Sequence, residues 1–232
     1  MRLLSPILAT AVAGAVLAGA TACTSSSASR SGRITSAVGT TPNVSPTAPL
    51  STRPGFAPTA PVPPAGTFTP RPGSWAGANP QPGYRVTLLT TDENARTRVL
   101  SAQVRAWAAS AGARLHVVRA EGPGRYVDSI QRAIEDGSDL IVTTGDGLVD
   151  PLALVTASNL GQQFLMVGAE LAEPTLNVTA ADWTGASFRG EGLGRPSQFD
   201  PATFTPERAA RAVRAGVAAV LSGRSGTVVW VG

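Results

Sequence analysis

The chain reads as an α/β protein with a doubly wound parallel sheet, on two grounds. From Tyr84 onward short apolar strands alternate with glycine-closed helical stretches, and the strands are apolar on both faces rather than at every second residue. Composition then marks where that fold begins: all fifteen acidic residues lie at or beyond Asp92, whereas twelve of the nineteen prolines lie between Pro42 and Pro82. Right-handed crossovers between parallel strands place helices on both sides of the sheet.

The first strand is YRVTLL, 84–89. Over 94–112 the spacing predicts a helix with Val99, Leu100, Val104 and Trp107 on one side and Gly112 as its stop signal. ARLHVVRA, 113–120, is the second strand. The helix over 125–137 follows, with Val127, Ile130 and Ile134 three and four residues apart and Gly137 closing it. DLIVTTG (139–145) is the third strand, a helix starts near Pro151, QQFLMVGAE (162–170) is the fourth strand and TLNVTAADW (175–183) the fifth. Loops over 184–207 carry Phe188, Arg189, Phe199 and Phe204, which either rebuild a binding face or cover the sheet. A last helix leads into GTVVWVG, a final strand with Trp230 on the face opposite Val229 and Val231.

In an open parallel sheet, ligands bind outside the carboxyl ends of the strands, near the point where strand order reverses. Those ends deliver Thr91, Asp92 and Asn94 from the first strand, and Thr144, Gly145 and Asp146 from the third. The fourth adds Glu170, and the fifth adds Asp182 and Trp183. Hydroxyls, glycines and acids of this kind hydrogen-bond a polar small molecule, and Trp183 could stack on one. Helix capping is the competing use, since Asp92, Asp146 and Asp150 each stand where a cap is wanted.

Charge argues against a nucleic-acid partner. The formal net charge is +4, yet from residue 83 onward fourteen arginines face fifteen acids, and the basic excess is scattered through the first third. No catalytic constellation stands out either. His116 is the one histidine and sits inside a strand; Cys23 is the one cysteine. There is no G-x-S-x-G elbow, GEGLG (190–194) lacks dinucleotide-loop spacing, and TTGDG (143–147) lacks a phosphate-loop lysine. Acid/base work by Asp146 with Asp150 is the residual possibility. The expectation is a binding protein, not an enzyme, with no cofactor and no metal.

At the other end, MRLLSPILATAVAGAVLAGATAC has one early arginine, an apolar stretch and small residues before Cys23, the layout of a secretory signal. Ala20-Thr21-Ala22-Cys23 resembles a bacterial lipobox, which prefers leucine where Ala20 stands. That resemblance implies cleavage before Cys23 and acylation of its sulfur, holding the protein at the extracytoplasmic face of the cell membrane. Residues 1–22 are then a signal peptide and 23–83 a lipid-anchored, disordered linker rich in Ser, Thr and Pro. Such a linker spans well over 100 Å at about 3.1 Å per residue. Residues 84–232 form the single lobe.

The order of elements from Tyr84 resembles the N-terminal lobe of type I periplasmic binding proteins. More narrowly it resembles the basic membrane protein family, through DLIVTTG, QQFLMVGAE, LNVTAADW and the run Ala215-Gly216-Val217-Ala218-Ala219 before the Val-rich strand. The resemblance implies a small polar, nucleoside-like ligand, handed to an ABC transporter permease or sensed. It also implies a second lobe beyond the Val-rich strand. Because the chain stops there, the expected second half-site comes from a homodimer or a partner protein. The alternative is a single-lobe envelope lipoprotein that acts as an interaction module. TTDENARTRV keeps Asp92 and Asn94 but lacks the family's phenylalanine, and Glu170 stands where the family tends to have aspartate.

Overall fold

The computed structural model describes residues 49–91 and 94–232. The leader, Cys23 and Asp92 lie outside the described residues. The strands are β1 (Thr67–Phe68), β2 (Arg85–Thr90), β3 (Arg114–Arg119), β4 (Leu140–Thr144), β5 (Phe164–Val167), β6 (Val178–Asp182) and β7 (Val228–Trp230). The helices are α1 (Ala95–Ala111), α2 (Tyr126–Glu135), α3 (Val149–Thr156) and α4 (Pro206–Leu221). All strand pairs are parallel, in the order β1-β7-β6-β5-β4-β2-β3.

Alternation along each strand divides the interior into two cores, one on each face of the sheet. Val86, Leu88, Leu140, Val142, Leu165, Val167, Ala181 and Val229 face α1 and α4. Leu89, Ile141, Phe164, Met166 and Val178 face α2 and α3. β4, β5 and β6 are buried along their whole length, which is why their sequences show no polar face. This is the doubly wound parallel α/β lobe that the alternation of strands and helices predicts.

Local chemistry sets the helix ends. Asn94 caps α1, its Oδ1 accepting from the Thr97 N–H at 2.9 Å, and Gly112 closes the helix at φ 66°. Thr205 caps α4, followed by Pro206 at the first helical position. The small residues of α4 have a packing reason. A Cβ on Gly216 would stand 2.6 Å from Leu165 Cδ1 and 3.0 Å from Ala181 Cβ, so the helix lies against β5 and β6 at a distance that only glycine permits.

One expectation is corrected here. From Pro49 to Gly83 the chain is part of the fold and not a disordered linker. Leu50 N–H donates to the Leu221 carbonyl at 2.8 Å, and β1 pairs with β7 through Thr67–Val228 and Phe68–Val229. Phe56 and Phe68 are buried in the core under α1 and α4, with ring centroids 5.6 Å apart and edge-on. A proline-rich segment can cover a sheet edge without regular structure of its own when a few aromatic side chains pin it. The final strand matches expectation: Val229 and Val231 are buried in the core, and Trp230 points to the other face, half exposed.

Candidate functional site

Strand order reverses between β2 and β4, the neighbours on either side of the crossover through β3. The crevice outside their carboxyl ends is therefore the expected ligand position. Its floor is a closed set of hydroxyls. Thr90 Oγ1 and Ser101 Oγ are 3.0 Å apart, Ser101 Oγ and Thr144 Oγ1 3.1 Å, and Thr144 Oγ1 donates to Thr90 Oγ1 at 3.0 Å. Thr144 thus spends its hydroxyl on the interior and is not open to a ligand in this arrangement. Thr91 is buried too, its methyl against Gly147, and Asn94 serves as a helix cap.

Above this floor the loop after β6 folds back across the sheet edge as a strap, residues 184–205. Phe204 stands edge-on to Trp183 with ring centroids 5.0 Å apart, and Phe199 lies 6.3 Å from Phe204. The Arg96 guanidinium stacks over both Phe199 and Phe204, and Arg195 stacks over Phe199 at 4.4 Å. The crevice between Gly145, Asp146, Gly168 and these rings keeps a cavity of about 10 Å³, roughly one water. A Cβ on Gly168, at φ 78°, would press on Leu100, Phe204 and Trp183 at 3.0–3.1 Å, so glycine is what lets the strap seat. Trp183 is 1 % exposed and its Nε1–H donates to Thr203 Oγ1 at 3.0 Å, which removes it from ligand stacking.

The acids of the edge hold the strap down. Asp146 pairs with Arg195. Glu170 Oε1 accepts from Arg189 Nε at 2.6 Å, and the Glu170 N–H donates to the Phe188 carbonyl at 3.0 Å. Asp150 Oδ1 accepts from the Glu191 N–H at 2.9 Å. Asp182 differs from the rest. Its Oδ1 accepts from the Trp183 and Ser187 N–H groups at 2.8 and 3.1 Å, while its Oδ2 and the Ser187 hydroxyl are buried with no hydrogen-bond partner. Burial pushes the Asp182 carboxyl up to about 6 against the opposing Trp183 N–H, and the nearby Glu170 carboxylate adds to the rise. Ser187 itself holds φ 58°, a left-handed conformation that non-glycine residues adopt at a cost.

The strap itself, together with Trp230, leaves part of the carboxyl edge open. A groove of about 370 Å³ runs between Thr184, Ser187, Arg189, Gln198 and Trp230, at the ends of β6 and β7. Arg189 is 59 % exposed, and only its Nε is engaged among the described residues. The residues expected to meet a ligand lie at the ends of β2, β4, β5 and β6, whereas this groove lies at the ends of β6 and β7. Of the groove residues the sequence had singled out only Arg189, and Trp230 only as a strand residue; the alternation that sets Trp230 opposite Val229 was the one usable signal.

The parallel order and the two helical layers define the class: an open, doubly wound α/β lobe. No protein-family model matches the chain, and neither does any curated protein sequence. Among solved structures it is similar to a fragment of a candidate lipoprotein from Peptoclostridium difficile 630, at 18% identity over 59% of this chain and 96% of that one, with TM-score 0.43. It is also similar to an ABC transporter solute-binding protein from Aeropyrum pernix K1 (18% identity, 44% of this chain, 29% of that one, TM-score 0.40). A third is a periplasmic ribose ABC transporter protein from Conexibacter woesei (17% identity, 68% of this chain, 56% of that one, TM-score 0.37). The matched region thus spans well under two thirds of the latter two proteins.

Proposed function

We propose that this chain is a lipid-anchored, extracytoplasmic solute-recognition protein: acylated Cys23 holds it to the cell membrane, and its carboxyl edge binds a small, polar, nucleoside-like ligand. The observation that carries this reading is the open groove of about 370 Å³ at the ends of β6 and β7. Its size falls at the small end of ligand sites, and it combines an indole flank (Trp230) with a guanidinium (Arg189), a hydroxyl (Thr184) and an amide (Gln198). Glu170 offsets the Arg189 charge, so the groove suits an uncharged ligand that exchanges hydrogen bonds. An ABC permease is the partner that would consume such a ligand, and a second copy or partner protein would close the groove from above.

Thermal unfolding of the mature chain with nucleosides, sugars, polyols and amino acids tests this directly. A specific ligand at 100 times its Kd stabilises the fold by about 2.7 kcal/mol. Trp230→Ala and Arg189→Ala should abolish the shift. If the whole panel leaves the midpoint unmoved at millimolar concentration, the binding reading fails. The filled crevice between β2 and β4 then favours the second reading, an envelope interaction module.

A further inference from the structure

The edge of the sheet opposite the groove carries a different surface. There Leu160, in the loop after α3, is 61 % exposed, and Leu176, in the turn before β6, is 64 % exposed. With Pro64 and Pro174 they frame a shallow depression of about 520 Å³ in which every lining side chain is uncharged.

These leucines are held outward. Asn177 is buried, and its Nδ2 donates to the carbonyls of Thr156, Asn159 and Gln162 at 3.0–3.2 Å, while its Oδ1 accepts from Thr175 Oγ1 at 2.6 Å. One side chain therefore ties the Leu160 loop to the Leu176 turn. Leu176 is fixed from below as well: its backbone lies 2.9–3.0 Å from where a Gly226 Cβ would be, and the Gly226 carbonyl accepts from the Ala65 N–H at 2.8 Å. Two exposed leucines on a braced frame form a preset apolar face.

The direction of the chain names the occupant. Pro49 packs beside Gly223, and Leu50 bonds to the Leu221 carbonyl at the end of α4, on this same edge. From Pro49 the chain runs back towards Cys23, 26 residues away, a reach of at most about 90 Å. We propose that the Leu160–Leu176 face rests on the lipid surface to which Cys23 anchors the chain, so that the groove at the opposite edge points away from the membrane. This inference rests on the lipid-anchor reading. An uncharged apolar face seats at the headgroup boundary by burying its leucines, with little dependence on lipid charge or salt.

The test separates the face from the acylation. The mature chain from Cys23, which keeps every described residue, is coupled through its one thiol to phosphatidylcholine vesicles bearing a maleimide lipid. Hydrogen exchange is compared with the same chain capped by N-ethylmaleimide in free solution. On vesicles, amides around Leu160 and Leu176 should exchange roughly threefold more slowly or better, while those around Leu193 in the strap are unchanged. Added anionic lipid or high salt should not alter this, and the exposed double substitution Leu160→Ser with Leu176→Ser should remove it without unfolding the protein. Absence of slowing on vesicles, or equal slowing around Leu193, overturns the proposal. Slowing that develops with protein concentration in the capped, vesicle-free chain also overturns it and assigns the face to a second copy. Mass spectrometry of the N-terminus from the native host tests acylation independently: an unmodified Cys23 defeats the anchor reading whatever the vesicle result.

Discussion

Replacing Asp182 by asparagine should stabilise this protein at neutral pH and leave it unchanged in acid. Asp182 is fully buried at the end of β6, and burial together with the Glu170 carboxylate lifts its carboxyl from 3.8 to about 6. A carboxyl whose folded value is raised contributes its stability in full below the unfolded value, near 4. It loses that contribution as pH rises through about 6, because the unfolded chain then releases the proton more readily. At about 1.4 kcal/mol per unit, the rise amounts to about 3 kcal/mol lost between pH 4 and pH 7. Asparagine keeps an oxygen for the Trp183 and Ser187 N–H groups and offers an amide towards Glu170, without a charge to desolvate. The assay is urea unfolding of wild type and Asp182→Asn at several pH values, read as the difference between the two proteins so that the exposed carboxylates cancel. The difference should be near zero at pH 4 and approach about 3 kcal/mol by pH 7.5, a rise of roughly 6–12 °C in midpoint. A difference that is flat across this range, or a wild type more stable at pH 7.5, would refute the assignment of a strained, ionised Asp182.

Phe56→Ala should cost about 3–5 kcal/mol in the same unfolding assay, because its ring is buried under α1 and α4. A free linker would register less than about 0.5 kcal/mol. Thr144→Val should cost about 1 kcal/mol, leaving Thr90 and Ser101 bonded to each other, and should not alter any ligand-induced thermal shift. Loss of that shift would return the site to the crevice at the strand-order reversal.

Periodicity carried most of the fold into view. α1 and α2 announce themselves by apolar spacing, and the buried strands by uninterrupted apolar runs, since local pattern and tertiary burial agree there. The segment from Pro49 to Gly83 has no period to read. Phe56 and Phe68 act as isolated anchors among prolines, and their burial depends on a sheet edge and on α4, elements more than a hundred residues further along the chain. Covering of the sheet by the aromatic loops was one of the two readings the sequence allowed, but their path was not legible: which way a loop crosses an edge is decided by its partners, here Arg96, Asp146, Glu170 and Trp183.

That distinction bears on what the carboxyl edge does. Topology alone points to the reversal between β2 and β4, but the chain has spent that crevice on its own aromatic rings, and Asp146, Glu170 and Asp182 are tied to strap residues instead. Most of these ties lower the energy of the fold. Asp182 does not, since it keeps an orphan carboxylate oxygen and a raised ionisation point under a serine forced into a left-handed conformation. A neutral residue would serve the strap better; if the groove proposed between Arg189 and Trp230 binds a ligand, Asp182 is the buried acid placed to lend it polarity. An Asp182→Asn variant that gains stability while losing ligand response would show the two demands pulling in opposite directions at one side chain.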